Sequence, residues 1–370
     1  MSRLSWRGLR GALLLPLLSV LLGFAVGGVA VYASGASPLD AYTALFQGAF
    51  TNTNALPETL VTTTPYILLG LALAVGFRAG LFNIGAQGQI AMGGLFGAFV
   101  AYQLRGVPAI PHVVLALLVG ALAGFVYGAV PGFLKARTGA HEVITTIMLN
   151  YIAALFVDLM VNHGPMSDPK RALPETPPVD PATQLPLLVP DSRLNVGLML
   201  ALLAVPVVWF LVERTTTGFR LRAVGFNAGA ARAAGISVGR TLVLVMGMSG
   251  GLAGLAGVIQ VLGVDGVMTP AMLANYGFDA IAVALLARSN PWAILPAALL
   301  FGALRSGSSF MQLQTQVSAD LISIVQAAVI VFVAAPLLVR WILRLREAPA
   351  PTVSIGEGGL AAAPPGEGVA

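Results

Sequence analysis

The chain has no cysteine, two lysines and three histidines, and charged residues fill only 9% of its 370 positions. Without cysteine there is no disulfide, no thiolate nucleophile and no cysteine-ligated zinc or iron–sulfur centre. His112, His141 and His163 are scattered, and no pair has a metal-ligand spacing. Neither Lys135 nor Lys170 follows a glycine-rich loop or precedes Ser or Thr. A phosphate-binding P-loop is therefore excluded, and any nucleotide energy must come from another chain. The shortage of charge excludes most. A soluble domain carries about 25% charged residues, so this chain cannot solvate the surface of ordinary soluble domains.

What fills the space is apolar sequence, 57% of the chain. Apolar stretches lie near 11–33, 59–77, 81–103, 111–134, 139–161, 194–212, 241–262, 277–288, 291–309 and 318–340. Nine reach across, or nearly across, a ~30 Å hydrocarbon core at 1.5 Å per residue. The tenth, from Gly277 to Arg288, reaches about 18 Å and reads as a half-helix that must lean on its neighbours. The pattern predicts an all-α polytopic membrane protein of about ten transmembrane helices, the half-helix included.

The few basic residues set the direction. With the N-terminus inside, Arg3, Arg7, Arg10, Arg78, Lys135, Arg137, Arg214, Arg220, Arg222, Arg232, Arg240, Arg288, Arg340, Arg344 and Arg346 face the cytoplasm. Arg105, Lys170, Arg171, Arg193 and Arg305 fall on or near the other side. That split of 15 against 5 predicts N-in and C-in. It also accounts for the isoelectric point near 9.9 without nucleic acid as a partner. The first apolar stretch is longer than the ~7–15 residues of a signal-peptide core, so residues 1–33 are expected to be a retained helix.

Three units are expected: an N-terminal helix and external segment over 1–58, a transmembrane domain over 59–346, and a disordered tail over 347–370, rich in Ala, Pro and Gly. The external segment 163–193 is broken by Pro165, Pro169, Pro174, Pro177, Pro178, Pro181, Pro186 and Pro190. It reads either as an exposed connector or as a cap that meets an extracytoplasmic partner.

Glycines and isolated polar residues pattern the spans. Gly120, Gly124, Gly128 and Gly132 form a ridge at i+4 spacing. Gly23/Gly27, Gly76/Gly80, Gly93/Gly97, Gly247/Gly251 and Gly250/Gly254 repeat it, as expected where helices pack closely in lipid. Glu142, Thr146 and Asn150 share one face of the fifth stretch; they either hydrogen-bond between helices or line a translocation path. Asn83, Gln87 and Gln89, among Gly80, Gly85 and Gly88, suggest a loosened segment beside that path. Thr62, Thr63 and Thr64 before Pro65 mark a kink whose freed carbonyls the hydroxyls could satisfy. Asp279 opens the half-helix, where an acid suits the positive end of the dipole; a contact to solute is the alternative. The run Gly247-Met248-Ser249-Gly250-Gly251 matches a hydrolase elbow, but that motif needs a strand-to-helix turn, and here it sits in an apolar helix.

The longest internal loop runs from Glu213 to Arg240. Asn227 is a good N-cap and Gly235 a good stop, bracketing a short Ala-rich helix from Ala228 to Ala234. At this loop the sequence resembles the integral-membrane permeases of ABC importers, in the branch serving ribose-type sugars, nucleosides and branched-chain amino acids. The run Gly218-Phe219-Arg220-Leu221-Arg222-Ala223-Val224-Gly225, followed by Asn227, Ala230, Ala231, Ala234, Gly235 and Ile236, is similar to that family's coupling-helix region. Three further blocks agree: Phe77 through Gln89, His141-Glu142-Val143-Ile144 through Met148-Leu149-Asn150-Tyr151, and Gly277 through Leu286. Together they span roughly 59 to 340, and the His141–Tyr151 block resembles the nucleoside branch. Several members have Glu where this chain has Gln87, and Asn where it has His141.

The resemblance implies a type II importer-like permease subunit in a bacterial inner membrane. It implies a second, related permease subunit, two ATPase subunits that hold ATP and Mg, and an external substrate-binding protein. This chain would carry no cofactor or metal and catalyse no covalent chemistry. Arg220, Arg222, Gly225, Asn227, Ala231, Arg232 and Gly235 would couple to the ATPase. The path would be lined by Asn83, Gln87, Gln89, Glu142, Thr146 and Asn150. Ribose-type sugars or branched-chain amino acids are the alternative solutes. An ion-coupled carrier is a further alternative, disfavoured because Glu142, Asp158, Asp279 and Asp320 all fall near helix ends rather than forming an intramembrane relay.

Overall fold

The computed structural model describes residues 6–51, 54–104, 106–168, 170, 173–270, 275–318, 320–335 and 339. Arg3, Arg105, Arg171, Arg340, Arg344, Arg346 and the 347–370 tail lie outside the described residues, as do the side chains of Arg7 and Arg10. The described residues form helices joined by turns and loops: α1 (Trp6–Ala33), α2 (Pro38–Phe46), α3 (Ala55–Arg78), α4 (Ala86–Gln103), α5 (Ala109–Thr138), α6 (Glu142–Asn162), α7 (Gly197–Arg214), α8 (Thr216–Phe226), α9 (Ala228–Ala233), α10 (Val238–Gln260), α11 (Tyr276–Leu286), α12 (Pro291–Thr315) and α13 (Asp320–Ala334). Single π-helical turns extend α2 over Gln47–Thr51 and α10 over Val261–Asp265.

Every apolar stretch contains a helix, yet among the described residues seven helices are long and apolar enough to cross a membrane: α1, α3, α5, α6, α7, extended α10 and α12. The difference from ten has local causes. The stretch 81–103 spends its first residues on a turn, and α4 then opens with Gln87 and Gln89. Both α11 and α13 are short apolar helices. The chain is a multi-pass membrane protein.

Sequence signals fix the ends. Ser37 caps α2 ahead of Pro38, and Asn290 caps α12 ahead of Pro291, accepting from the Trp292 amide at 3.1 Å. Gly139, with φ 72°, ends α5. Gly80, with φ 71°, ends α3: its amide bonds the Phe77 carbonyl while the Leu81 amide bonds that of Gly76. The Gly76/Gly80 pair is therefore a helix stop rather than a packing ridge.

At the centre stands α3, the most buried of the seven long apolar helices, packed on α12, α10, α11 and α7. Beside it α4, α5 and α10 meet backbone to backbone. A Cβ on Gly124 would strike the Gly250 carbonyl and Gly254; one on Gly93 would strike Gly254; one on Gly257 would strike the Ile90 carbonyl. Gly128 and Gly132 meet α10 at Met246, Gly250 and Leu242 in the same way. Small residues permit this approach, and dispersion between the backbones holds it. Gly23 and Gly27 seat α1 against Val329 and Val325 of α13. On α5 and α6 the opposite faces are exposed and apolar, carrying Ile110, Leu118, Leu122, Val126, Met148 and Leu155, as lipid contact requires.

Before Pro65 the threonine hydroxyls act, but not on the carbonyl the proline frees. Thr62, Thr63 and Thr64 donate to the carbonyls of Glu58, Thr59 and Leu60, and Thr62 also reaches Gly302 on α12 at 3.0 Å. The missing proline donor would have served Val61, one residue further on.

The proline-rich segment is partly exposed and partly packed down. It lies across the far end of the bundle, its amides bonding carbonyls there: Thr176 to Met268, Val179 to Gly266, Asp180 to Ala101 and Leu185 to Leu262. The Asn195 side chain donates to Gly263 at 2.9 Å, and Arg193 pairs with Glu58 at the start of α3. Among the described residues of the segment, proline and short turns leave only the 3-10 turn Pro181–Thr183, so the backbone is satisfied largely on the helix ends.

Candidate functional site

The turn between α3 and α4 gathers most of the polar residues singled out as path-lining. Asn83 is buried, and its amide donates to Gln89 Oε1 at 3.0 Å and to Ser249 Oγ on α10 at 2.9 Å. Its own oxygen accepts from the Gly85 amide at 2.9 Å. Asn150 on α6 accepts from the Gly88 amide at 2.8 Å and donates to the Ile84 carbonyl at 2.9 Å. Gly88 lies in the first turn of α4, where backbone amides lack intrahelical partners; Asn150 supplies one from a neighbouring helix. Gln87 Oε1 does the same for the Gly277 amide of α11 at 2.8 Å.

Glu142, Thr146 and Asn150 do share one buried face of α6. Thr146 turns its hydroxyl back onto the carbonyls of Glu142 and Val143, and Glu142 pairs with Lys135 at the end of α5. Among these residues the observed contacts are hydrogen bonds and an ion pair that tie α4, α5, α6, α10 and α11 together. Ser249 is buried inside α10 as the acceptor of Asn83; its surroundings are those of a packing residue.

At the basic end, the loop between α7 and α10 is mostly helix. Thr215 caps α8, accepting from Gly218 at 3.1 Å. Asn227 caps α9, accepting from Ala230 at 2.9 Å. The expected helix ends one residue early, at Ala233, and Gly235 with φ 81° follows the Ala234 cap. Arg220, Asn227, Arg232 and Gly235 are exposed, whereas Ala231 on α9 is buried; α8 and α9 together form a basic platform.

Half-buried Arg222 and the backbone at Gly225 contact neighbouring elements, a role the loop pattern does not reveal. Arg222 donates to the Val212 carbonyl and meets Glu213 at 3.2 Å, and Glu213 also pairs with Arg78. Gly225 packs on the Arg78 carbonyl and Ala79, with Gly80 opposite. The platform is thereby joined to the α3–α4 turn, five residues from Asn83. Sequence reasoning also passed over Phe219 and Phe226, exposed aromatics on α8. A notch of about 430 Å³ between α8 and the start of α10 carries Arg220 and Arg240.

Asp279 does not cap α11. That helix starts at Tyr276, after Asn275 with φ 71°. The Asp279 carboxylate instead accepts from the Tyr66 hydroxyl of α3 at 2.8 Å and stands 3.6 Å from Arg305 of α12. The Arg305 guanidinium lies over the Tyr276 ring, 4.1 Å from its centroid. A charge pair thus sits inside the bundle, which the distance of Asp279 from its own helix end had concealed.

An apolar helical bundle with a basic helical platform joined to its interior polar turn fits an integral-membrane transport subunit. The chain belongs to the branched-chain amino acid transport system / permease component family, whose model matches residues 56–334. It is 39% identical over 334 residues to the guanosine ABC transporter permease protein NupP of Bacillus subtilis, covering 90% of this chain and 95% of the relative. The nucleoside ABC transporter permease protein NupB of Lactococcus lactis is 34% identical, covering 89% and 93%. The glucose ABC transporter permease protein TsgB13 of Haloferax volcanii is 35% identical, covering 86% of each chain. Bacillus subtilis and Lactococcus lactis each contribute a second, more distant permease to the matches. No solved structure matches the chain.

Proposed function

We propose that this chain is the membrane permease subunit of an ATP-driven importer of nucleosides. The observation that carries the importer reading is the α8–α9 platform, exposed on one side and joined on the other to Arg78 and the α3–α4 turn. The nucleoside reading is supported by likeness to NupP and NupB over about nine-tenths of the chain. A sugar reading is favoured by the likeness to TsgB13.

In this reading the chain has about ten spans, the half-helix included, the first in 1–58 and the rest in the transmembrane domain of 59–346, N-in and C-in, in a type II importer-like arrangement in the bacterial inner membrane. A related second permease completes the pathway; two relatives come from bacteria that each hold a second matching permease. ATP and Mg are held by two ATPase subunits beneath, and a binding protein delivers solute to the outer end. This chain itself holds neither cofactor nor metal and binds no nucleic acid. Closure of the ATPase pair pushes Arg220, Asn227, Arg232 and Gly235; Ala231, Arg222 and Gly225 pass the displacement to the α3–α4 turn. Asn83, Gln87, Gln89, Glu142, Thr146 and Asn150 then exchange partners as helices separate and expose the path.

Competition uptake in membrane vesicles tests this, with purine and pyrimidine nucleosides set against ribose, glucose and leucine. ATP-dependent uptake suppressed by nucleosides is the expected result. Suppression by sugars alone selects the sugar reading. Uptake that persists without ATP, by a chain that never co-purifies with an ATPase, overturns the importer reading.

A further inference from the structure

The Asp279–Arg305 pair is deep. Tyr66 lies twelve residues before Arg78, the last residue of α3, so it sits about 18 Å from the basic end. Arg305 lies fourteen residues after Pro291, about 21 Å from the same end along α12. Two helices thus place the pair about 18–21 Å from that end, well inside a ~30 Å core, where an ionised group is costly unless it pairs or faces water.

The surroundings divide the cluster into a fixed wall and an accessible tip. Tyr66 and Phe301 are fully buried and Tyr276 nearly so, with Tyr66 5.1 Å from Tyr276 and 6.1 Å from Phe301 between ring centroids. The Asp279 and Arg305 side chains keep 16% and 34% of their exposure. Their 3.6 Å separation is wider than the ~2.7–2.9 Å of a direct charge-assisted hydrogen bond. Nearer the far end, Gln260 donates to Asp265 at 3.0 Å and Arg193 pairs with Glu58.

We infer that Asp279 and Arg305 are the specificity-determining contact for the solute, and that they recognise a vicinal diol of a sugar ring. The carboxylate accepts from one hydroxyl and the guanidinium donates to its neighbour, as a paired acceptor and donor of opposite charge should. The pair has no net charge, which suits a neutral solute, and a ribose diol is common to nucleosides and free pentoses. Tyr66 and Tyr276 act as positioning residues: one holds the carboxylate by its hydroxyl, the other supports the guanidinium on its ring face. The inference rests on the importer reading.

The test is uptake by vesicles holding the full permease–ATPase complex, driven by saturating, solute-loaded binding protein so that capture does not set the ratio. Guanosine, 2′-deoxyguanosine and free ribose are the three solutes. The wild-type complex is expected to favour guanosine over 2′-deoxyguanosine, and Asp279→Asn and Arg305→Lys to lower that ratio about tenfold, because a site built for a hydroxyl rejects the analogue without it. Ribose uptake falling in parallel with guanosine places the recognition on the sugar; ribose uptake left at its wild-type rate overturns the diol assignment. If Asp279→Asn does not assemble, the ratio in Arg305→Lys, which keeps the charge, decides. An equal loss for all solutes with the ratio unchanged overturns the inference and leaves the importer standing. Absence of ATP-driven uptake of every solute by the wild-type complex overturns the importer reading itself.

Discussion

Asn150 illustrates how much one side chain can hold inside an apolar bundle. It serves the Gly88 amide and the Ile84 carbonyl at once, so Asn150→Leu leaves both buried groups without it. The expected cost is about 1–3 kcal/mol for each group left unsatisfied. Purified protein should unfold at lower temperature, and uptake should fall; an unchanged thermal midpoint would remove Asn150 from the network. That polar residues on α6 matter was legible from their i+4 spacing, but their partners were not. Nothing in the sequence says that Asn150 reaches the first turn of α4 rather than a water-filled path. Asp279 shows the opposite failure: four residues into a helix reads as shallow, yet α11 begins deep, so a position near a helix end is also a position well inside the membrane core.

Among elements, α4, α5 and α10 make the clearest prediction. Gly124→Val puts a branched side chain where the Gly250 carbonyl and Gly254 already lie, and overpacking of this kind costs about 1–3 kcal/mol or more. The variant should be depleted from membranes on quantitative blotting, whereas Gly229→Ala on exposed α9 should accumulate normally. At the platform, Gly225→Ala drives a Cβ into the Arg78 carbonyl, and Arg222→Gln removes the charge shared with Glu213. Both are expected to keep ATPase activity in the assembled complex while uptake per ATP falls severalfold; a normal ratio would detach Gly225 and Arg222 from coupling. The glycine ridge of α5 was readable because i+4 spacing fixes a helix face. Helices α2 and α8 were not read, since a short helix half in contact with a bundle has too little apolar periodicity to stand out, although Ser37-Pro38 and Thr215 did carry their start signals.

For the molecule as a whole, the absence of cysteine makes sidedness directly measurable. Single cysteines at Ala228 and at Leu173, both exposed, should react with a membrane-impermeant maleimide from opposite sides: Ala228 in inside-out vesicles and Leu173 in intact cells. Labelling of both from one side would contradict the N-in, C-in topology. The glycine contacts described above also fix how such a molecule can deform. Where three backbones touch, no layer of side chains remains to yield between them, and the segment over the far end laces α4 and α10 together through Ala101, Leu262 and Gly266. The trio is a stiff block, clamped at one end. Any gate must open along a seam outside it, and the seam lined by α3, α11 and α12 is where the charges lie.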